Sequence, residues 1–291
     1  MESANTRRIG SIALLWRTIQ RFNEDDMSTY ASALAYRALF ALFPFLLFLM
    51  AMLGFLHLPE FFDWLREQAT LVLPPVALDQ VNPVIDQLQR QNSGLVSFGI
   101  LVALWTASSG IRSLMNAMNK AYDVEEGRPL WKLFLLSFLY TIGIAVMLLL
   151  AAGLMIIGPQ VMEWLATHVG LREQVVVVWA WARWPVVVLL MMMAVALLYY
   201  VTPDVEQDFR FITPGSVLAV VIWIVASLGF GFYVQNFANY NATYGSIGAI
   251  IVLLLYFYIS AAVLLLGAEL NAVIEHASAE GKDRGEKLLD E

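Results

Sequence analysis

Residue types that perform acid, base or metal chemistry are sparse in this 291-residue sequence. There is no cysteine, which excludes thiolate catalysis, disulfides and Cys-ligated metals. The histidines are His57, His168 and His276, and none has a second ligand at the spacing a metal site uses. Ser108 and Ser109 are adjacent hydroxyls with no nearby base in sequence. No phosphate-binding loop and no dinucleotide-binding glycine pattern occurs. The sequence therefore reads as a non-enzyme, with no catalytic, cofactor-binding or metal-ligating residues.

Polar residues next to long apolar runs are better pointers, because placing them in lipid is costly. Thr106, Ser108 and Ser109 follow one such run, and Arg112, Asn116 and Asn119 continue it. Arg37 enters another, and Glu269 and Asn271 end the last. These nine residues form a candidate polar cluster. It either lines a cavity or substrate path, or it is a hydrogen-bond network that locks helices together. Glu269 follows Leu264-Leu265-Leu266-Gly267-Ala268 and needs a partner. Arg112 is the first choice and Arg37 the second, since a guanidinium fork suits a carboxylate.

A second set comprises Asn236, Asn239, Tyr240, Asn241 and Tyr244. It is uncharged and rich in phenols, which favour lipid headgroups. It reads as an outer rim that hydrogen-bonds a headgroup or neutral solute, or as an interfacial hairpin. Arg183, among Trp179, Trp181 and Trp184, is expected at the outer interface, with an intramembrane charge in a conduction path as the alternative. Ser227 with Gly231, and Gly245 with Ala249, are small residues spaced for close helix packing.

The elements that carry these residues follow from composition. The chain is 60% hydrophobic and 14% charged, with mean hydropathy +0.69. Soluble domains carry about 25% charged residues. The apolar residues come in blocks long enough to cross hydrocarbon, and backbone satisfaction in lipid makes each block a helix. The fold class is an all-α integral membrane protein. Its six spans lie at about 38–58, 94–111, 131–157, 176–201, 212–235 and 245–270. The second helix is expected to run on past Arg112 to Tyr122, with Ser28 capping the first. Residues 9–22 have an apolar stripe with basic flanks, and predict an interfacial helix or one packed on the cytoplasmic end of the bundle. Short external helices are expected over 59–93. Residues 1–275 read as a single membrane domain, and 276–291 as a charged tail, mobile from Ser278. Thirteen of the 17 Lys and Arg residues fall on one side of this layout, which makes both termini cytoplasmic. The net charge of -7 argues against nucleic acid as a partner.

Several of these segments resemble a known family. Ala33-Leu34-Ala35-Tyr36 leading to Phe43-Pro44 is similar to the first motif of the YihY/BrkB family of bacterial inner-membrane proteins. Trp105-Thr106-Ala107-Ser108-Ser109-Gly110 with Asn119-Lys120-Ala121-Tyr122 resembles its second. Pro203, Pro214-Gly215, Tyr240-Asn241-Ala242-Thr243-Tyr244-Gly245-Ser246 and Gly267-Ala268-Glu269-Leu270-Asn271 complete the pattern. The resemblance covers roughly residues 28–275. It implies six helices in a bacterial inner membrane and a role in envelope integrity through lipid handling. The family has carried a ribonuclease BN label. A metal-dependent nuclease needs clustered ligands and a basic groove, and this sequence supplies neither. The expected partners are membrane lipids. The alternatives are an ion- or osmolyte-coupled transporter and a scaffold that holds envelope-assembly proteins.

Overall fold

The computed structural model describes residues 11–55, 93–156, 161–162, 168, 173–207, 211–237, 245–277 and 287. The helices are α1 Ser11–Glu24, α2 Met27–Phe55, α3 Ser93–Ala121, α4 Leu130–Ile156, α5 Glu173–Val201, α6 Pro214–Phe237 and α7 Gly245–Ala277. There is no strand among the described residues. The expected first span, 38–58, begins within α2, and the other five begin within or beside α3 to α7. Helix α3 reaches Ala121, so the extension past Arg112 is helical. Helices α2 and α5 run through Pro44 and Pro185. The expected external helices over 59–93 lie outside the described residues, apart from the start of α3.

Five described helices, α3 to α7, are long and apolar enough to cross a membrane. Their surfaces support that reading. Leu228 is 72% exposed and Trp181 is 78% exposed, and many leucines, valines and phenylalanines on these helices face outward. Water would penalise such a surface, whereas lipid does not. Alanine is the commonest buried apolar residue among those described. Small side chains let helices approach closely where no hydrophobic effect drives them together.

The chain separates into two compact units: residues 1–36 with 110–291, and residues 37–109. In the first unit, α7 packs against α6 and α1, and α5 packs against α4 and α6. Its core gathers Met27, Leu114, Met118, Tyr122, Leu198, Tyr199 and Leu265. Helix α1 turns Ile12, Leu15, Trp16 and Ile19 outward, while Thr18 is buried. This apolar stripe is exposed among the described residues although α1 packs on α7. The start of α2 corrects the Ser28 cap. Thr29 N donates to Asp26 O, and the Ser28 hydroxyl donates to the Asp26 carboxylate, so Asp26 heads the helix. The second unit holds the remainder of α2 and the first part of α3. Phe40, Phe43, Phe98 and Trp105 are exposed on it.

Candidate functional site

Polar side chains converge where α1, α3 and α7 end and α4 and α6 begin. Two aspartates shape the first part of this region. Asp26 and Asp123 have φ of 53° and 56°, the left-handed conformation that ends a helix and that Asp tolerates better than most residues. Asp123 ends α3 and faces Arg21 of α1 at 3.3 Å. Lys120 of α3 returns the contact with Asp25 at 3.0 Å, and Arg21 also reaches Asp25 at 3.5 Å. Two cations and two carboxylates thus cross-link α1 to α3. The Tyr122 ring meets His276 of α7 edge-on at 6.1 Å. Burial pushes the Tyr122 phenol well above its usual value.

The second part joins three loops. Asn119 is buried, donates to Glu126 Oε2 at 3.0 Å and accepts from the Asp204 amide at 2.7 Å. Arg128 grips Glu126 with two bonds of 2.7 Å and donates to the Thr202 carbonyl at 2.9 Å. Asp204 accepts from the Gly127 amide at 2.9 Å and from Lys287 at 2.8 Å. Glu206 N donates to the Lys287 carbonyl at 2.8 Å. The tail was expected to be mobile from Ser278, but Lys287 is docked on the α5–α6 link. Beside this network a groove of about 760 Å³ opens along α4 and α5. Its polar lining includes Arg128, Lys132 and Lys287 together with Asp204, Glu206 and Gln207, and its wall carries Leu136, Tyr140, Tyr200 and Val201.

The network carries a pH dependence. Burial opposes ionisation of Glu126, but the Arg128 hydrogen bonds outweigh it and hold the carboxyl below its ordinary value. Burial also opposes ionisation of Asp204, and Lys287, the Gly127 amide and Arg128 hold it low. A carboxylate depressed on folding contributes fully above its unfolded value, 4.5 for Glu and 3.8 for Asp. That contribution is lost as pH falls through the lower native value. Both groups are partly solvated, so the loss should be about 1 kcal/mol or less per pair. Thermal unfolding measured from neutral into acid pH should show it. A Glu126→Gln, Asp204→Asn variant should lose less stability on acidification than the parent. Parallel acid profiles would contradict the assignment.

The third part is the α6–α7 junction. Asn271 accepts from the Gly215 amide at 2.9 Å and donates to Thr213 Oγ1 at 3.0 Å. Ser216 and Thr213 close the α6 N-terminus through reciprocal bonds of 3.0 and 3.1 Å. Gly215 and Gly267 lie against each other, and a Cβ on either would overlap the other's carbonyl oxygen. The Tyr199 hydroxyl donates to the Leu264 carbonyl beside them. Deeper in the bundle, Trp223 donates to Ser260 at 3.0 Å, and Ser227 and Tyr256 share a bond of 3.1 Å.

Of the nine residues of the expected polar cluster, the five in the first unit, Arg112, Asn116, Asn119, Glu269 and Asn271, do not share one network. Arg112 does not pair with Glu269: it donates to Ser137 Oγ of α4 at 3.0 Å, and its guanidinium lies 4.3 Å above the Phe134 ring. Glu269 is 1% exposed, and neither carboxylate oxygen has a hydrogen-bond partner among the described residues. Asn119 joins the Arg128 network, whereas Asn116, three residues earlier on α3, is exposed. Asn271 serves the α6–α7 junction. Arg37, in the second unit, is exposed. There, Thr106, Ser108 and Ser109 bond back to carbonyls of their own helix at 2.7 to 2.8 Å. Of the outer rim, Asn236 is exposed and bonds to Phe232 O at 2.8 Å. Asn239, Tyr240, Asn241 and Tyr244 lie outside the described residues. Arg183 is half-buried, 5.8 Å from the Trp184 ring. Gly231 has open space where its Cβ would stand, so close packing belongs to Gly215 and Gly267 instead. The sequence reading passed over Arg21, Asp25, Asp123, Glu126, Arg128, Asp204 and Lys287 as site residues. Acidic residues at helix ends facing Lys and Arg were the available signal.

Comparison with known proteins places this architecture. The profile of the family described as virulence factor BrkB matches residues 18–288. A Bacillus subtilis (strain 168) protein, YfkH, whose name describes it as ribonuclease-like, is 37% identical over 264 residues, covering 90% of this chain and 95% of its own. UPF0761 membrane proteins of Xanthomonas campestris pv. campestris (strain B100) and Xanthomonas axonopodis pv. citri (strain 306) are each 29% identical over 260 residues. The match covers 88% of this chain but 58% and 59% of those proteins, so they are considerably longer. No solved structure matches. Four of the motif segments meet within the first unit, with Gly267 on Gly215, Asn271 on the α6 start and Asn119 on the loop after Pro203. With its multi-pass helices and a profile match from residue 18 to 288, the chain is a membrane protein of the BrkB family.

Proposed function

We propose that this protein handles an anionic amphipathic lipid of the bacterial inner membrane through the groove along α4 and α5, in the service of envelope integrity. The observation that carries this reading is the groove's composition. Three cations, Arg128, Lys132 and Lys287, border it against two acids, Asp204 and Glu206, and Tyr140, Tyr200, Leu136 and Val201 supply a wall that continues onto lipid-facing helix surface. Arg128 and Lys287 are engaged with Glu126 and Asp204, while Lys132 forms no ion pair among the described residues. A phosphate group would meet Lys132 and the phenols, with its acyl chains against the wall. In this reading both termini are cytoplasmic, so the groove opens on the cytoplasmic leaflet.

Purification from native membranes, followed by lipid mass spectrometry, tests it. One cation near an anionic surface is worth about 1 kcal/mol, so Lys132→Gln should retain about fivefold less anionic lipid. Retention equal to that of the parent would sink the reading. Envelope-assembly proteins recovered in fixed ratio without lipid would favour the scaffold instead. An ion- or osmolyte-coupled transporter would need a wet path between helices. The described cavity among α5, α6 and α7 is about 160 Å³, and its Trp223 and Ser260 bond each other.

We also read the chain as lacking ribonuclease activity. No group of three His, Asp or Glu residues among those described is arranged to hold a metal ion. Purified protein should leave RNA intact with or without divalent metal. Cleavage that survives repurification and vanishes in a point variant of this chain would refute that.

A further inference from the structure

We propose that Glu269 is a proton-binding site, held as a neutral carboxylic acid in the packed bundle and reached from water through the cleft between α1 and α7. Glu269 is on α7, within a membrane-spanning segment, and its side chain is sealed from solvent. Both carboxylate oxygens lack a hydrogen-bond partner among the described residues. An ionised carboxylate in that position would forfeit its hydration with nothing in return, a cost that a bound proton removes.

The charges around it cannot substitute for the proton. Those whose fields reach Glu269 are Arg21 and Asp25 from α1 and the turn after it, and Lys120 and Asp123 from the end of α3. Tyr122, after α3, also lies within reach. The four ions satisfy one another, with Arg21 on Asp25 and Asp123, and Lys120 on Asp25. Their formal charges cancel, so no cation is left over for a fifth charged group. A metal cation would need several oxygen ligands, and no such cluster of acids is formed among the described residues. A proton needs one oxygen.

The cleft supplies the route. It has a volume of about 320 Å³ and is lined by Arg17, Gln20, Arg21, Glu24, Val273 and His276. Val273 stands one helical turn beyond Glu269, on the same face of α7. Opening of the α1–α7 contact would therefore expose the carboxyl to water from this side. The inference is independent of what the α4–α5 groove binds.

Infrared spectroscopy of the full chain in detergent or nanodiscs tests it. At neutral pH the parent should show the C=O stretch of a protonated, weakly hydrogen-bonded carboxylic acid. The band should be absent from Glu269→Gln, whose neutral amide preserves the packing. Labelling the parent with ¹³C-glutamate should shift the band and ¹³C-aspartate should not, which separates it from buried Asp25 even if the variant fails to fold. Transfer to D₂O should also shift the band, more slowly once Val273→Trp fills the cleft. No acid band at neutral pH, or one that survives Glu269→Gln or ignores the glutamate label, would overturn the site. Exchange unaffected by Val273→Trp would overturn the route.

Discussion

Gly267→Val is expected to be among the most damaging single changes in the bundle, and Gly267→Ala to be damaging for the same reason. A Cβ at Gly267 would run into the Tyr199 hydroxyl, the Gly215 carbonyl oxygen and the Ala219 Cβ. The last two are fixed to the backbone, so relief requires α6 and α7 to part. Tyr199 is itself fully buried and bonded to Leu264, which removes the remaining slack. Overpacking of this kind costs about 1–3 kcal/mol, and the two extra methyls of valine should reach or exceed the top of that range. Separation of the helices would also strip Asn271 from Gly215 and Thr213. Gly231→Ala is the control. Gly231 lies in α6, in the same helix pair, but its Cβ would meet nothing, so helix propensity should make that change neutral or stabilising by up to about 1 kcal/mol. Thermal unfolding of the three variants in one detergent decides the matter. Equal midpoints for Gly267→Ala and Gly231→Ala would show that the close contact does not limit stability.

This contact shows where sequence reading succeeds and where it stops. Hydropathy located the helices because lipid imposes one requirement on a span, and a run of apolar residues meets it or does not. Helical spacing likewise carried α3 beyond Arg112, since Leu114, Met115 and Met118 kept an apolar face, and all three are buried. Partners are a different matter. Glu269 had two arginines available on the expected side, and spacing along one helix does not say which neighbour a side chain meets. Arg112 went to Ser137 and Phe134 on α4, the next helix in the chain, rather than to the carboxylate on α7. Asn116 and Asn119 differ by 60° around α3. That rotation separates an exposed amide from one that binds two loops. Charge counting used Lys and Arg for orientation and, Glu269 apart, left the aspartates and glutamates unassigned. Those acids hold the loops and helix ends, across separations as long as the 102 residues between Arg21 and Asp123.

Arg128 is the centre of that loop network, and Arg128→Met should be the most destabilising change at the polar end of the bundle. The side chain is 8% exposed. It supplies two bonds to Glu126, one to the Thr202 carbonyl, and a contact of 3.6 Å with Asp204. Methionine keeps much of the volume but leaves the Glu126 carboxylate and the Thr202 carbonyl without their main donor, and takes a nearby cation away from Asp204. Removing one member of a buried pair costs about 3–5 kcal/mol. Glu126 and Asp204 retain some access to water, which places this case at or below the lower end of that range. Arg128→Lys should recover only part of the loss, because an ammonium cannot reproduce the fork that meets both Glu126 oxygens. The sharper test adds Glu126→Gln to Arg128→Met. If the penalty arises from a stranded carboxylate, the double variant should be more stable than Arg128→Met alone, a sign that separate contributions cannot produce. If the losses simply add, Arg128 acts through packing and the Thr202 carbonyl. The three loops would then be held by Asn119 and by Lys287 on Asp204, with Glu126 a bystander.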